Sequence, residues 1–135
     1  MHALLTPVGP DWYAIGMPAV REVVAAPGLA AVPTAPAPVL GLFNLRGEIV
    51  PLFDTAALLG LGGGTTPEFA VVVFTAAGPA GLAATGAPEA VELGDPIGGA
   101  EIVGGLSSYA IDGRVATLVD VDVLLAPAHT GGLAQ

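Results

Sequence analysis

Residues 39–54 constrain the fold of this chain more than any other stretch, because they place two apolar runs on either side of a short polar turn. The turn segment, residues 44–48, lies between the two runs. Gly47 can adopt the positive φ that a tight reversal needs, so the pattern predicts a β-hairpin. Pro51 has no backbone N–H to donate to a ladder, which predicts that the second strand is an edge strand or carries a bulge.

Glycine and proline interrupt the rest of the chain too often for long helices. The 135 residues include 20 Gly and 13 Pro, and 53% of them are hydrophobic. This composition is typical of a globular chain of short strands joined by turns. At this length, one domain or two small lobes that share a core can bury about two thirds of the unfolded surface. We therefore predict a mostly β fold.

Charge and missing residue types exclude several classes of function. The net charge is −9, and the three cationic residues are all arginines. Such an acidic surface repels phosphate backbones and anionic lipid, so nucleic acid is not an expected partner. The chain has no Lys, which excludes Schiff-base and P-loop chemistry, and no Cys, which excludes disulfides and thiolate catalysis. A cytoplasmic protein is compatible with this composition.

Two uncharged windows, residues 23–45 and 69–88, are long enough to span a membrane. Four prolines interrupt the first window, and the Gly78-Pro79 pair interrupts the second. Residues 1–5 contain no basic region, which argues against a signal peptide. We therefore predict no direct membrane insertion.

The remaining elements follow from local patterns. Further strands are predicted at residues 12–17, 69–75, 82–85, 89–93, 102–106, 109–111 and 115–119, with a turn at 78–81, a second hairpin turn at Asp112-Gly113, and a connector at 25–38 that lies along the core. The run 69–75 has Val and Phe on both faces, which predicts a core strand buried on both sides. A composition break at residues 62–67 predicts two lobes, residues 1–62 and residues 68–126.

Two short helices are predicted from capping residues. Asp54 or Thr55 can cap one or two helical turns that end at Gly60. Asp120 can cap a terminal helix that Pro127 stops, and residues 128–135 should fray beyond it.

Catalytic groups are scarce. His2 and His129 lie in segments that we expect to be mobile, where a preorganised general base is hard to build. The Ser107-Ser108 pair lacks the Gly-x-Ser-x-Gly elbow that exposes a nucleophile. Helix capping explains Asp120 and Asp122 better than a metal site does. We therefore predict no catalytic residue, no metal site and no cofactor.

Glu22 and Arg46 have two interpretations. They can stabilise the hairpin locally by pairing with each other. Alternatively, an arginine in an apolar neighbourhood is a common anchor of protein interfaces, where aromatic residues and Arg concentrate. Apolar surface is plentiful in this chain and catalytic groups are not, which favours a binding module.

Residues 41–54 resemble the signature of the CheW domain, the coupling scaffold of bacterial chemotaxis arrays. The family pattern Gly-x-x-Asn-Leu-Arg-Gly-x-x-x-Pro-x-x-Asp is matched at every fixed place, from Gly41 to Asp54. The resemblance extends through residues 13–15, 20–23, 71–73, 81–82 and 118–125. The whole chain, residues 1–135, is thus similar to a single CheW-like domain. Thr85 departs from the pattern, because it stands where the family usually has an acid.

The resemblance implies two SH3-like, five-stranded β-barrel lobes that share a hydrophobic core, with short helices and no enzymatic activity. It also implies an adaptor that bridges the regulatory domain of a CheA-type histidine kinase and the cytoplasmic tip of chemoreceptors. By position, Glu22 and Arg46 would be the polar pair of the receptor-facing region, with Val20 beside them. The partner-binding set also includes Gly41, Asn44 and Gly47, where Gly41 and the hairpin after it would lie near the kinase-facing side.

Two alternatives stay open. A CheW-like module of a twitching-motility or other chemosensory pathway, acting with another sensory kinase or with itself, would have the same sequence features. A small-ligand-binding or hydrolytic protein of similar fold would depend on Asp54, Ser108 or His129.

Overall fold

The computed structural model describes residues 1–63, 66–102 and 104–126. Within these ranges the chain forms eleven strands, two short α-helices and one turn of 3-10 helix at Met17–Ala19. The strands are β1 (His2–Val8), β2 (Asp11–Gly16), β3 (Val20–Ala25), β4 (Val39–Leu45), β5 (Glu48–Phe53), β6 (Phe69–Thr75), β7 (Gly78–Ala84), β8 (Glu89–Glu92), β9 (Gly98–Gly99), β10 (Gly105–Ile111) and β11 (Arg114–Val119), and the helices are α1 (Thr55–Leu58) and α2 (Val121–Leu124). The prediction of a mostly β fold is confirmed.

The strands form two sheets. Sheet A has the order β8-β1-β2-β11-β10-β9, and sheet B has the order β3-β6-β7-β5-β4. Neighbouring strands are antiparallel except β2 with β11 and β5 with β7, which run parallel. Since β9 has only two residues, each sheet has five main strands.

The same series of elements occurs twice along the chain. A hairpin, a single strand, a second hairpin and a short helix run from β1 to α1, and the series recurs from β6 to α2 with β9 inserted. Each sheet combines the first hairpin of one series with the single strand and second hairpin of the other. The predicted boundary between residues 1–62 and 68–126 thus separates the two series, whereas each sheet contains strands from both sides of it.

Three apolar clusters lie among the described residues. The largest lies between the sheets and contains Leu4, Val8, Tyr13, Ile15, Phe53, Leu58, Val71, Val73, Leu82, Val119, Val121 and Leu124, among others. A second cluster lies within sheet B and contains Phe43, Leu45, Val50, Leu52, Ala70, Val72 and Ala83. A smaller third cluster, within sheet A, contains Ala3, Ala14, Leu93 and Leu118. Each sheet thus has an interior of its own and contributes to a shared core.

The central hairpin forms as the sequence predicts. Leu45 pairs with Glu48 across a two-residue turn, in which Arg46 has φ +50° and Gly47 has φ +89°. Positive φ at both central residues defines a type I′ turn, which matches the right-handed twist of the flanking strands. The Asn44 side chain fixes this turn, because its Oδ1 accepts a hydrogen bond from the Gly47 N–H at 2.8 Å.

The prediction that Pro51 marks an edge strand or a bulge is wrong. β5 lies between β7 and β4, and the bulge of this hairpin lies in β4, between Val39 and Gly41. Pro51 is tolerated because β7 pairs only with Leu52 and Phe53, so no ladder partner faces its missing N–H.

Of the other local predictions, some are confirmed and some are wrong. β6 lies between β3 and β7, and Ala70–Val73 are fully buried, as predicted for a core strand. Phe74 at its end is 55% exposed, which corrects the expectation that both faces are covered throughout. The turn predicted at residues 78–81 lies at residues 76–77, because β7 begins at Gly78. β10 begins only at Gly105, and Val103 lies outside the described residues.

The two capping predictions are confirmed. The Asp54 side chain accepts from the Ala57 N–H at the start of α1, and the Asp120 side chain accepts from the N–H groups of Asp122 and Val123 at the start of α2. Pro127 and residues 128–135 lie outside the described residues. Among the described residues, neither helix has the length and apolar character needed to cross a bilayer.

Candidate functional site

Glu22 and Arg46 form a two-point ion pair. Arg46 donates from Nη1 to Glu22 Oε1 at 2.9 Å and from Nη2 to Oε2 at 2.5 Å. Bidentate pairing of this kind fixes the guanidinium in orientation as well as in position. The pKa of Glu22 is lower than its usual value, mainly because its carboxylate accepts hydrogen bonds from Arg46. The same hydrogen bonds raise the pKa of Arg46.

A second pair lies beside the first. Arg21 Nη1 donates to Glu48 Oε1 at 2.8 Å, and Arg21 Nε lies 3.9 Å from Glu22 Oε2. The four side chains therefore form one alternating network of charges between β3 and the β4–β5 turn.

This network joins the two edges of sheet B. β3 and β4 stand at opposite ends of the strand order, about 19 Å apart if the sheet were flat. The sheet must therefore curl for Glu22 and Arg46 to meet. Two backbone hydrogen bonds between Ala30 and Leu42, of 2.8 and 2.9 Å, bring the connector after β3 against β4 in the same way.

Arg46 keeps exposed surface despite its partner. Its side chain is 64% exposed, whereas that of Glu22 is 27% exposed. Val20 is half-buried and packs on the shared core at the start of β3. Ile49, on the strand that follows the turn, is 59% exposed. An exposed cation and an exposed apolar side chain thus lie three residues apart on this hairpin, which suits contact with another protein.

The other predicted contact residues serve the turn or the packing. Asn44 and Gly47 are exposed, and they are joined by the hydrogen bond that fixes the turn. Gly41 is buried beneath the connector, where an added Cβ would lie 2.8 Å from the Ala30 carbonyl oxygen. A side chain at residue 41 therefore has no room unless the connector moves.

Gly41→Ala is expected to destabilise the fold by about 1–3 kcal/mol, because it forces backbone atoms apart in a packed region. Chemical denaturation measures the loss. Gly28→Ala is the matched control in the same connector, since nothing lies within 4 Å of an added Cβ there. Equal stability of the two variants would contradict the packing role of Gly41.

Sequence patterns did not reveal a groove of about 430 Å³ that both sheets line. Its wall consists of Met1, Gly16, Pro18, Ala19, Phe74, Leu106 and residues 118–122. These residues come from separate segments, so no periodicity marks them in advance. Phe74 links the groove to the charge network, because the Arg21 guanidinium carbon lies 5.8 Å from its ring centroid.

The residues weighed for catalysis do not converge. His2 lies in β1, which corrects the expectation of a mobile segment, and its Nδ1 lies 2.7 Å from Glu92 Oε2 on an open surface. Ser108 donates to the Gly99 carbonyl oxygen at 3.1 Å, and Asp54 is buried as a helix cap. His129 lies outside the described residues. Within residues 1–63, 66–102 and 104–126, no three His, Cys, Asp or Glu side chains cluster as metal ligands would.

Thr85, which follows the β6–β7 hairpin, is hydrogen-bonded to the β1–β2 hairpin. Its hydroxyl accepts from the Gly9 N–H at 2.9 Å and donates to the Pro7 carbonyl oxygen at 3.3 Å. The residue that departs from the CheW pattern thus has a structural role at the β1–β2 turn.

Comparison with known proteins identifies the family. The profile of the CheW-like domain matches residues 2–128. The chain belongs to the CheW-like domain family. Because this match covers nearly the whole chain, the CheW-like domain includes both series of elements and the turn that carries Arg46.

Individual relatives agree with this assignment. The chain is 41% identical over 54 residues to the chemotaxis protein CheW of Rhizobium meliloti and 37% identical over 54 residues to the probable chemotaxis protein CheW of Rhizobium etli. Each alignment covers 40% of this chain and 35% of the relative, so the chain matches about a third of the length of these curated relatives. The crystal structure of the scaffolding protein TtCheW from Thermoanaerobacter tengcongensis superposes with a TM-score of 0.79 at 20% identity, covering 91% of this chain and 86% of that one. At that identity the likeness shows the fold.

Proposed function

We propose that this CheW-like domain is a non-catalytic adaptor that couples the cytoplasmic tips of chemoreceptors to the regulatory domain of a CheA-type histidine kinase. The observation that carries the proposal is the family match over residues 2–128. The names of the Rhizobium relatives and the scaffold title of the structural neighbour favour a chemotaxis pathway over another chemosensory system. A cytoplasmic location follows from these partners.

The charge network supports the placement of the contact surface. Arg46 is already oriented by two hydrogen bonds yet remains largely exposed. Its side chain therefore loses little further conformational freedom when it binds a partner, which suits an anchor residue. Glu22 and Val20 complete the receptor-facing region. Asn44 and Gly47 shape the turn on the kinase-facing side, and Gly41 acts there by letting the connector pack.

Reconstitution tests the proposal. The purified chain, the CheA-type kinase and a chemoreceptor cytoplasmic fragment from the same organism are expected to form a ternary complex in size-exclusion chromatography. Kinase autophosphorylation is expected to depend on the receptor only when the chain is present, because the chain supplies the physical link. The matched control is the same kinase without its regulatory domain. Failure of the chain to bind either full partner would overturn the adaptor role.

A further inference from the structure

The pairing registers relate the two sheets residue by residue. The line of paired residues across sheet B is Leu52, Gly81, Val72 and Glu22, and the line across sheet A is Leu118, Ala14, Leu5 and Glu89. Leu52, which begins the first line, lies as many residues after the turn glycine Gly47 as Leu118, which begins the second, lies after Gly113. Glu89 on the edge strand β8 is therefore the counterpart of Glu22 on the edge strand β3.

The turns of the second hairpins also correspond. Asp112 has φ +48° and Gly113 has φ +79°, so this turn is of type I′, as is the turn at residues 46–47. Its arginine stands one place after the glycine rather than one place before it. Arg114 Nη2 nevertheless pairs with Glu89 Oε1 at 2.6 Å, and it lies 4.0 Å from Asp112 Oδ2. An edge-strand acid and a turn arginine thus meet in both sheets.

An aromatic ring supports the pair in sheet A. The Arg114 guanidinium carbon lies 4.5 Å from the Trp12 ring centroid, within the range of a cation–π contact. Ala116 is paired with Trp12 on the neighbouring strand, so Arg114, two residues earlier, shares the face of the sheet that carries this ring. The ring and the guanidinium thus lie against each other on one face of sheet A.

The ion pair joins β8 and β11, two strands that are not hydrogen-bonded neighbours in sheet A. β1 and β2 lie between β8 and β11, which would be about 14 Å apart in a flat sheet. The buried interior of sheet A consists of two alanines and two leucines, whereas that of sheet B includes Phe43 and six further residues. The partly buried Val91 of β8, Tyr109 and Ile111 pack against that interior, so the apolar cluster of sheet A is the smaller of the two and the ion pair adds to its hold on β8.

We propose that Glu89, Arg114 and Trp12 form a latch that holds the edge strand β8 against the β10–β11 hairpin and so keeps sheet A curled. The latch is the counterpart of the contact between Glu22 and Arg46 in sheet B. It is separate from the proposed partner surface, because every residue of that surface lies in sheet B or its central turn. Release of the latch frees β8 and leaves sheet B closed.

Hydrogen exchange of the purified full chain tests the latch. Glu89→Gln keeps the shape of the side chain but removes its charge, and it is expected to speed amide exchange in β8 several-fold while β3 and β6 stay unchanged. Glu101→Gln is the matched control, an exposed acid without an ion pair among the described residues. Equal exchange in the Glu89→Gln and Glu101→Gln variants would overturn the latch.

Trp12 gives a second measurement, because it is the only tryptophan in the chain. Arg114→Met removes the guanidinium and is expected to change the emission of Trp12, whereas Glu101→Gln leaves it unchanged. About 1 M NaCl shortens the screening length to about 3 Å and should speed exchange in β8 more in the wild-type chain than in Glu89→Gln, because the ion pairs of Glu92 with Met1 and His2 are screened in both. Trp12 emission that does not change in Arg114→Met, or an equal effect of salt on β8 in the two chains, would contradict the proposal.

Discussion

Arg46→Glu is expected to weaken binding to the receptor fragment and to the kinase by roughly 30-fold or more, which is the effect of losing a central interface arginine. The substitution removes the exposed cation and places a third carboxylate beside Glu22 and Glu48. It leaves the backbone preference of the turn nearly unchanged, because Arg and Glu are both strained at φ +50°. Titration of each partner with the purified variant measures the loss, and Arg114→Gln, which removes a cation from sheet A, is the control.

The reciprocal exchange of Glu22 and Arg46 tests whether Arg46 contacts a partner or only supports the hairpin. Glu22→Arg combined with Arg46→Glu can rebuild the ion pair and hold the hairpin in place, but it moves the cation from a largely exposed position to one that is 27% exposed. We expect thermal stability to recover in part, because the cation at position 22 then lies beside Arg21, and partner binding to stay weak. Full recovery of binding would show that Arg46 only positions the hairpin, and that its guanidinium touches no partner.

The central hairpin was predictable because its signals are local. The turn needs positive φ at two adjacent positions, and the glycine at position 47 between apolar runs predicts one of them. The same reasoning located the turn at Asp112-Gly113 and the caps at Asp54 and Asp120. The resemblance through Asn44, Arg46 and Gly47 identified the family from the same stretch.

The assembly of the sheets was not predictable, because it depends on pairings between distant segments. β1 and β8 pair across most of the chain, and β2 meets β11 in parallel. No local pattern marks such partners, so the strand at residues 2–8 was missed. One signal was available, since Asp54 with Leu58-Leu59 and Asp120 with Leu124-Leu125 repeat the same spacing at the end of each series.

The candidate site was predictable only in part. The sequence named Glu22 and Arg46 and left open whether they pair with each other or meet a partner. The structure shows the pairing, and the exposure of Arg46 leaves room for a partner as well. Arg21 and Phe74 were not expected at the site, since the strand pattern alone does not show that sheet B curls until its edges touch.

Phe53→Ala is expected to cause the largest loss of stability, about 3–5 kcal/mol, because Phe53 is fully buried where β5 enters the shared core between the sheets. A domain of this size has about 5–15 kcal/mol in total, so the variant should be close to unfolding. Thermal unfolding should show a fall in Tm of about 10 °C or more.

Ile49→Ala on the same strand provides the comparison. Ile49 is 59% exposed and belongs to the hairpin face rather than to the shared core, so its truncation should change stability by no more than about 0.5 kcal/mol. The contrast separates burial from strand propensity, because both variants replace a good strand former by alanine in β5. If the two variants unfold at the same temperature, the cluster around Phe53 does not unite the sheets.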